Sequence, residues 1–177
     1  RFAFGYCSGL TSVTIPDSVT SIGQDAFWGC SNLMSVAIPD SVTSIENMTF
    51  RNCGNLTSVI IGNKVTSIGR WAFRDCLNLT NITIPDSVTQ IGSRAFSGCI
   101  NLKSITFLGN APSSFGSDVF KNLPIGATIT VTAGATGFGE TYGGLTVQIL
   151  KKKLEINPFS KSATPFSLNF ETQSDST

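Results

Sequence analysis

Residues Leu79–Cys99 read LTNITIPDSVTQIGSRAFSGC, and the chain repeats this pattern at a step of 23 residues. Three residue types recur in phase with that step. They are the cysteines Cys7, Cys30, Cys53, Cys76 and Cys99, the leucines Leu10, Leu33, Leu56, Leu79 and Leu102, and the phenylalanines Phe4, Phe27, Phe50, Phe73 and Phe96. A constant period of this length is typical of a solenoid, in which each repeat forms one coil that stacks on its neighbours.

Each repeat begins with a segment that has the pattern of a half-buried strand. In the quoted repeat, Ile82 and Ile84 alternate with Asn81 and Thr83. Apolar and polar residues that alternate in this way place the apolar side chains on one face of a strand and the polar ones on the other. We therefore expect the equivalent segments of successive coils to form a parallel β-sheet with a polar outer face.

The rest of the repeat returns the chain to the next strand. Pro85-Asp86-Ser87 has the composition of a turn, because proline fixes φ and aspartate or serine can bond to the nearby backbone. Val88 and Ile91 indicate a second, short strand with its apolar side chains inward. Ser93–Phe96 is predicted to form a single helical turn before the chain enters the next coil.

The recurring pattern Ile-Pro-Asp-Ser-Val-x-x-Ile-Gly, followed by Ala-Phe and Cys, resembles the BspA-type leucine-rich repeat. The resemblance implies a right-handed coil with one parallel β-sheet face. Many members of that family are secreted or surface proteins of bacteria, and some bind host or matrix proteins. It therefore implies an extracellular or cell-surface location and a protein partner, either a host or matrix protein or another surface component.

Three segments are expected along the chain. Residues 1–107 hold the leucine-rich repeat coils, the first of which is truncated, because Arg1 lies inside a repeat. Residues 108–150 are predicted to form an atypical last coil and a C-terminal β cap that covers the end of the solenoid. Residues 151–177 are expected to be a linker followed by the truncated start of another β domain, or a disordered tail. We expect the chain to be part of a longer protein.

The composition argues against several classes of function. The net charge of +1 gives no basic patch for nucleic acid, and no apolar run is long enough for this segment to insert into a membrane. The chain has no histidine, so a serine or cysteine nucleophile would lack its usual base. The cysteines occupy a core column in which the sixth coil has Leu123, which predicts buried thiols. No catalytic residue, metal site or cofactor is expected.

Two surfaces remain as candidate binding faces. The sheet face is predicted to carry small polar side chains at Ser12, Thr14, Ser35, Ser58, Ile60, Asn81, Thr83, Ser104 and Thr106. The alternative face, at the predicted helical turns, carries Trp28, Met48, Arg51, Trp71 and Arg74. Tryptophan and arginine contribute most strongly to protein interfaces, but scattered exposed apolar residues are also ordinary on protein surfaces.

These observations favour a non-enzymatic module for protein–protein binding or surface adhesion. The alternative is a passive structural spacer that presents another domain. The pattern does not distinguish the two faces, and it does not identify the ligand.

Overall fold

The computed structural model describes residues 1–150, which form a solenoid of parallel strands. The strands are β1 (Ser35–Ala37), β2 (Ser44–Ile45), β3 (Ser58–Ile60), β4 (Ser67–Ile68), β5 (Asn81–Ile84), β6 (Gln90–Ile91), β7 (Ser104–Phe107), β8 (Ser114–Phe115), β9 (Thr128–Val131), β10 (Thr141–Tyr142) and β11 (Leu145–Ile149). No helix occurs among the described residues. The predicted solenoid is confirmed.

Each coil from β1 to β8 contributes one strand to each of two faces. The odd-numbered strands β5, β7 and β9 lie side by side and in parallel, while the short strands β2, β4, β6 and β8 form a second parallel sheet. The register follows the repeat, since Asn81 pairs with Ser104 and Ile82 with Ile105. Equivalent residues of successive coils therefore stack directly on one another.

The first face is interrupted between the fourth and fifth coils, counting the truncated coil as the first. Strands β1 and β3 pair with each other, but β3 is not hydrogen-bonded to β5, which forms the edge of the five-stranded sheet. The interruption lies beside Gly62-Asn63-Lys64, which replaces the Pro-Asp-Ser found at residues 16–18, 39–41 and 85–87. The second sheet continues without a break across the same coils, so the solenoid remains one stack.

A ladder of phenylalanine rings forms the centre of the core. Neighbouring rings of Phe4, Phe27, Phe50, Phe73, Phe96 and Phe120 are stacked with centroids 5.2–5.9 Å apart. The inward residues of both strands, such as Ile82, Ile84 and Ile91, are buried around it. Burial of apolar surface at about 25 cal/mol per Å² makes this column the main source of stability.

The predicted helical turn at Ser93–Phe96 is wrong. The backbone N–H of Ala95 donates to Gly92 O three residues back, at 3.2 Å, whereas an α-helix would use the carbonyl four residues back. The next N–H, of Phe96, donates instead to Val119 O of the following coil, at 3.0 Å. The segment is thus a run of tight turns whose alternate amides bond to the neighbouring coil.

Left-handed backbone at two columns makes these turns possible. One column contains Phe2, Asp25, Met48, Trp71, Arg94 and Asp118, and the other contains Tyr6, Gly29, Asn52, Asp75, Gly98 and Asn122. Their φ angles lie between 54° and 80°, a region that residues other than glycine seldom adopt. We call the surface formed by these turns the turn face.

Four of the five cysteines are buried and free, as predicted, but Cys7 is exposed. Cys7 lies in the first coil, at the N-terminal end of the described solenoid. In the interior, the Cys76 Sγ donates to Phe50 O at 3.2 Å, and Cys53 and Cys99 make equivalent bonds. Burial raises the pKa of both Cys53 and Cys99 to about 12, so these thiols stay protonated and unreactive.

The two ends of the described solenoid differ. At the C-terminal end, the ring of Tyr142 packs against Phe115, Phe138 and Phe107, with centroids 4.5, 5.0 and 6.2 Å away. At the N-terminal end, an apolar cavity of about 260 Å³ opens among residues that include Phe4 and Val13. The last coil is thus covered by aromatic side chains, whereas the core of the first coil is accessible.

Candidate functional site

The sheet face is flat and carries small side chains. Seven of its nine predicted residues are exposed, whereas Ser104 and Thr106 are half-buried near the last coils. Ile60 is the one large apolar side chain of the set, at 64% exposure. The set contains no charged or aromatic side chain. A partner could therefore contact little more than hydroxyl and amide groups on this face.

The turn face brings four of its five predicted residues together, and they form what we call the turn-face cluster. The cluster comprises Trp28, Met48, Arg51 and Trp71, together with Arg70, Phe2 and Tyr6, which the sequence analysis did not select. The fifth predicted residue, Arg74, lies on the same face and forms an ion pair with Asp75 at 3.0 Å.

Arg51 lies between two indole rings. Its Cζ is 5.2 Å from the centre of the Trp28 ring, in the preceding coil, and 5.6 Å from that of Trp71, in the following coil. A cation in this position is attracted to the negative face of each ring. The arrangement holds the guanidinium in place while it is half-buried.

The outer faces of both indoles are also covered by other side chains. Phe2 stacks on Trp28 at 5.7 Å, and Tyr6 lies 5.3 Å from the same ring. Tyr6 fits there because Gly29 has no Cβ: one would lie 2.9 Å from the Tyr6 ring. Arg70 covers Trp71, with its Cζ 3.8 Å from the ring centre. The cluster therefore extends across four coils.

The backbone under the cluster is fixed by hydrogen bonds between coils. The N–H of Met48 donates to Arg70 O at 2.9 Å, and the N–H of Trp71 to Ser93 O at 3.2 Å. The N–H of Arg70 donates to the side-chain oxygen of Asn47 at 2.7 Å. Because these bonds recur from coil to coil, the side chains of the cluster stand on a rigid frame.

The cluster contains polar groups that have no partner among the described residues. Arg51 Nε and the Nε1 atoms of Trp28 and Trp71 are buried without a hydrogen bond. The Arg51 guanidinium makes one long contact, from Nη1 to Met48 Sδ at 3.8 Å. Unmet buried donors are costly in a protein interior, so their concentration here distinguishes this surface from the rest of the solenoid.

The other cations of the turn face have carboxylate partners. Arg1 pairs with Asp25 at 3.2 Å, Arg94 with Asp118 at 3.0 Å, and Lys121 also with Asp118, at 3.8 Å. Within residues 1–150, Arg51 and Arg70 form no ion pair. The positive charge of the cluster is therefore not neutralised by an ion pair within the part of the chain that the structure describes.

Sequence reasoning missed Arg70, Phe2 and Tyr6 because it followed single columns. Arg70 precedes Trp71 in the chain and folds over its ring, a contact that depends on the left-handed backbone at Trp71. Phe2 and Tyr6 occupy the two left-handed columns of the first coil. A search for contacts between different columns of adjacent coils could have found them. The prediction of a helical turn gave the wrong backbone geometry for such a search.

The described residues include no group of three or more His, Cys, Asp or Glu side chains placed to hold a metal ion. They also include no helix that is long and apolar enough to cross a membrane. The turn face combines stacked aromatic rings with two cations that form no ion pair among the described residues.

The stacked parallel coils define the class of the protein as a leucine-rich repeat solenoid. The model of the BspA-type leucine-rich repeat region matches residues 1–126 in 6 copies, and the chain belongs to this family. Leucine-rich repeat families are in general non-enzymatic scaffolds. A search of curated proteins finds no match for the chain.

Crystal structures of bacterial leucine-rich repeat proteins have the same fold. A T. pallidum protein is 28% identical with a TM-score of 0.63, covering 69% of this chain and 58% of its own. A Bacteroides ovatus protein is 26% identical with a TM-score of 0.56, covering 84% and 54%. The pneumococcal vaccine antigen PcpA is 22% identical with a TM-score of 0.58, covering 68% and 30%. The chain thus spans little more than half the length of the first two relatives.

Proposed function

We propose that the chain is a non-enzymatic protein-binding module of a secreted or surface-attached bacterial protein, and that the turn-face cluster is its binding surface. The observation that carries the proposal is the position of Arg51 between Trp28 and Trp71 with no carboxylate partner among residues 1–150. Tryptophan and arginine that are held rigidly together are typical of the residues that dominate binding energy at protein interfaces. The family resemblance supports the bacterial surface location.

The sheet face is the weaker candidate. Its side chains are small and uncharged, and truncation of such residues in known interfaces seldom costs much binding energy. The close stacking of the strands is sufficient to explain the flat surface of this face, without a binding role. Ile60 and its neighbours therefore serve as the internal comparison for the turn face.

A binding assay can separate the two faces. Wild-type chain, Arg51→Gln on the turn face and the double variant Thr83→Lys/Thr106→Lys on the sheet face would be displayed on beads. Binding to an array of purified extracellular-matrix and host cell-surface proteins would then be measured. We expect at least one array protein to bind the wild type and the sheet-face variant, with affinity reduced at least about tenfold by Arg51→Gln.

The opposite pattern would contradict the proposed surface. A partner that is lost by the sheet-face variant and kept by Arg51→Gln would place binding on the strands. If no array protein binds any of the chains, the proposal of a host or matrix partner is wrong and the passive spacer is favoured. Thermal unfolding of all three chains controls for loss of fold.

A further inference from the structure

We infer that the turn-face cluster recognises an acidic, extended segment of the partner protein through its aspartate or glutamate carboxylates. The inference rests on the proposed function, because it takes the turn face as the binding surface and adds the chemistry of the ligand. Three observations support it: the ion pairs that equivalent arginines form in other coils, the hydrogen-bond donors of the cluster, and the side chains that cover the indole rings.

Arg51 lacks the carboxylate that its equivalent in the next coil possesses. Arg74 stands one repeat after Arg51, and it pairs with the adjacent Asp75 at 3.0 Å. The residue adjacent to Arg51 is Asn52, an amide of nearly the same shape that carries no charge. The repeat therefore has a place for an internal carboxylate next to this arginine, and in the third coil that place is neutral.

Arg70 lacks its equivalent partner in the same way. One column holds Arg1, Gln24, Asn47, Arg70, Ser93 and Ser117. In the first coil of this column, Arg1 pairs with Asp25, which belongs to the next coil, at 3.2 Å. The position equivalent to Asp25 in the coil after Arg70 holds Arg94, which pairs with Asp118 on its other side. Arg51 and Arg70 thus occupy positions at which the equivalent arginine of another coil has a carboxylate partner. The corresponding partner positions of Arg51 and Arg70 hold no carboxylate.

The donors of the cluster indicate the same kind of ligand. The guanidinium of Arg51 donates hydrogen bonds and cannot accept them. Its Nε is buried, as are the indole Nε1 atoms, and its Nη1 contacts only Met48 Sδ among the described residues, at 3.8 Å, so the Nη atoms are the donors that remain for a ligand. Arginine binds carboxylates with two parallel N–H···O bonds in the plane of the guanidinium. Because Trp28 and Trp71 cover its faces, a ligand of Arg51 approaches in that plane.

The ligand is a peptide segment with more than one carboxylate. Arg51 and Arg70 both lie against Trp71, with Cζ atoms 5.6 and 3.8 Å from its ring centre. Alternate side chains of an extended peptide are about 7 Å apart, a spacing that suits two cations around one ring. An acidic sugar is disfavoured, because Arg51, Arg70, Phe2 and Tyr6 already occupy the ring faces on which a sugar would stack.

Intrinsic fluorescence tests the inference at the site itself, since both tryptophans of the chain belong to the cluster. The whole chain would be titrated with a peptide of five Gly-Glu repeats, a matched peptide of five Gly-Gln repeats, and a heparin hexasaccharide. We expect a saturable change in tryptophan emission with the glutamate peptide alone. Its apparent Kd should increase with salt, since screening weakens the attraction between charges.

Two variants of equal charge change provide the control. Arg51→Gln should weaken binding of the glutamate peptide at least about tenfold, whereas Lys103→Gln, at an exposed position outside the cluster, should alter it less than about twofold. Equal weakening by both variants would mean non-specific attraction and would overturn the inference. Tighter binding of the hexasaccharide than of the peptide would overturn it in favour of an anionic glycan.

The inference can fail while the proposed function stands. If a partner from the array binds through Arg51 but the glutamate peptide produces no emission change at millimolar concentration, the turn face binds protein by other chemistry. If the array places binding on the sheet face, the proposed surface fails, whatever the peptide does.

Discussion

The sheet face and the turn face are built from the same repeat, yet they use it differently. On the sheet face, the outward positions of successive coils hold serine, threonine, alanine, asparagine and one isoleucine. On the turn face, one left-handed column holds phenylalanine, aspartate, methionine, tryptophan, arginine and aspartate in turn. The outward strand positions are therefore mostly small and uncharged, whereas the turn positions hold side chains of widely different size and charge.

The reason lies in how each backbone is held. On both faces, equivalent residues of successive coils stack at about the spacing of neighbouring strands, 4.8 Å, so crowding does not distinguish the two faces. In the turns, the left-handed conformation recurs at Met48, Trp71 and Arg94 regardless of side-chain type, because amides bonded to the next coil impose it. The repeat sets the conformation, so side chains of different types can occupy these positions.

The largest effect should come from placing a charge on the wrong side of a strand. Ile84 is fully buried, and Thr83, its neighbour on the sheet face, is exposed. Ile84→Asp should cost several kcal/mol, comparable with the whole stability of a domain, and should unfold the chain. Thr83→Asp, the matched control, should be tolerated. Equal melting temperatures for the two variants would contradict the strand assignment.

A smaller, pH-dependent loss should come from the thiols buried beneath the turn face. Cys53 and Cys99 have pKa values raised from 9.0 to about 12 by burial. The folded state therefore keeps protons that the unfolded state releases above pH 9. The contribution of these raised pKa values to the free energy of unfolding is complete below pH 9. It decreases as the pH rises towards 12, by about 1 kcal/mol per pH unit for each thiol.

Urea unfolding between pH 7 and pH 11 would measure this dependence. The double variant Cys53→Ala/Cys99→Ala should be less stable at neutral pH but should lose less stability on going to pH 11. An identical alkaline slope in wild type and variant would show that these thiols do not control it.

The smallest effect on stability should come from the turn-face cluster itself. Arg51→Gln removes two cation–π contacts, each of about 0.5–1 kcal/mol at an exposed site, and also relieves an unmet buried donor. We expect a net change of no more than about 1 kcal/mol in the free energy of unfolding, measured in urea. A loss of several kcal/mol would mean that Arg51 serves to hold the coils together.

The 23-residue period was sufficient to predict the solenoid, because equivalent residues must stack when every column recurs in phase. It also predicted the alternation at Asn81–Ile84, which the structure confirms as strand β5 with Ile82 and Ile84 buried. Trp28, Met48, Arg51, Trp71 and Arg74 could be named as one face from their columns alone. All five are half-buried on the turn face.

The local conformation of the turns could not be predicted in the same way. Ser93–Phe96 has the composition of a helical turn, but the amide of Phe96 finds its acceptor, Val119 O, in another coil. Only the stacking of coils reveals that competition. The position of Arg51 between two rings also depends on how the coils stack, since Trp28 and Trp71 belong to different columns. The interruption between β3 and β5 has no signal in the sequence apart from the altered turn at Gly62-Asn63-Lys64.

Nuclear magnetic resonance of the whole chain can show directly whether binding takes place on the turn face. Titration with the peptide of five Gly-Glu repeats should shift the two indole N–H signals, which arise from Trp28 and Trp71 alone. The amide signals of β5 and β7 should stay in place. Shifts along β5 and β7 with unchanged indole signals would place binding on the sheet face and would contradict the account.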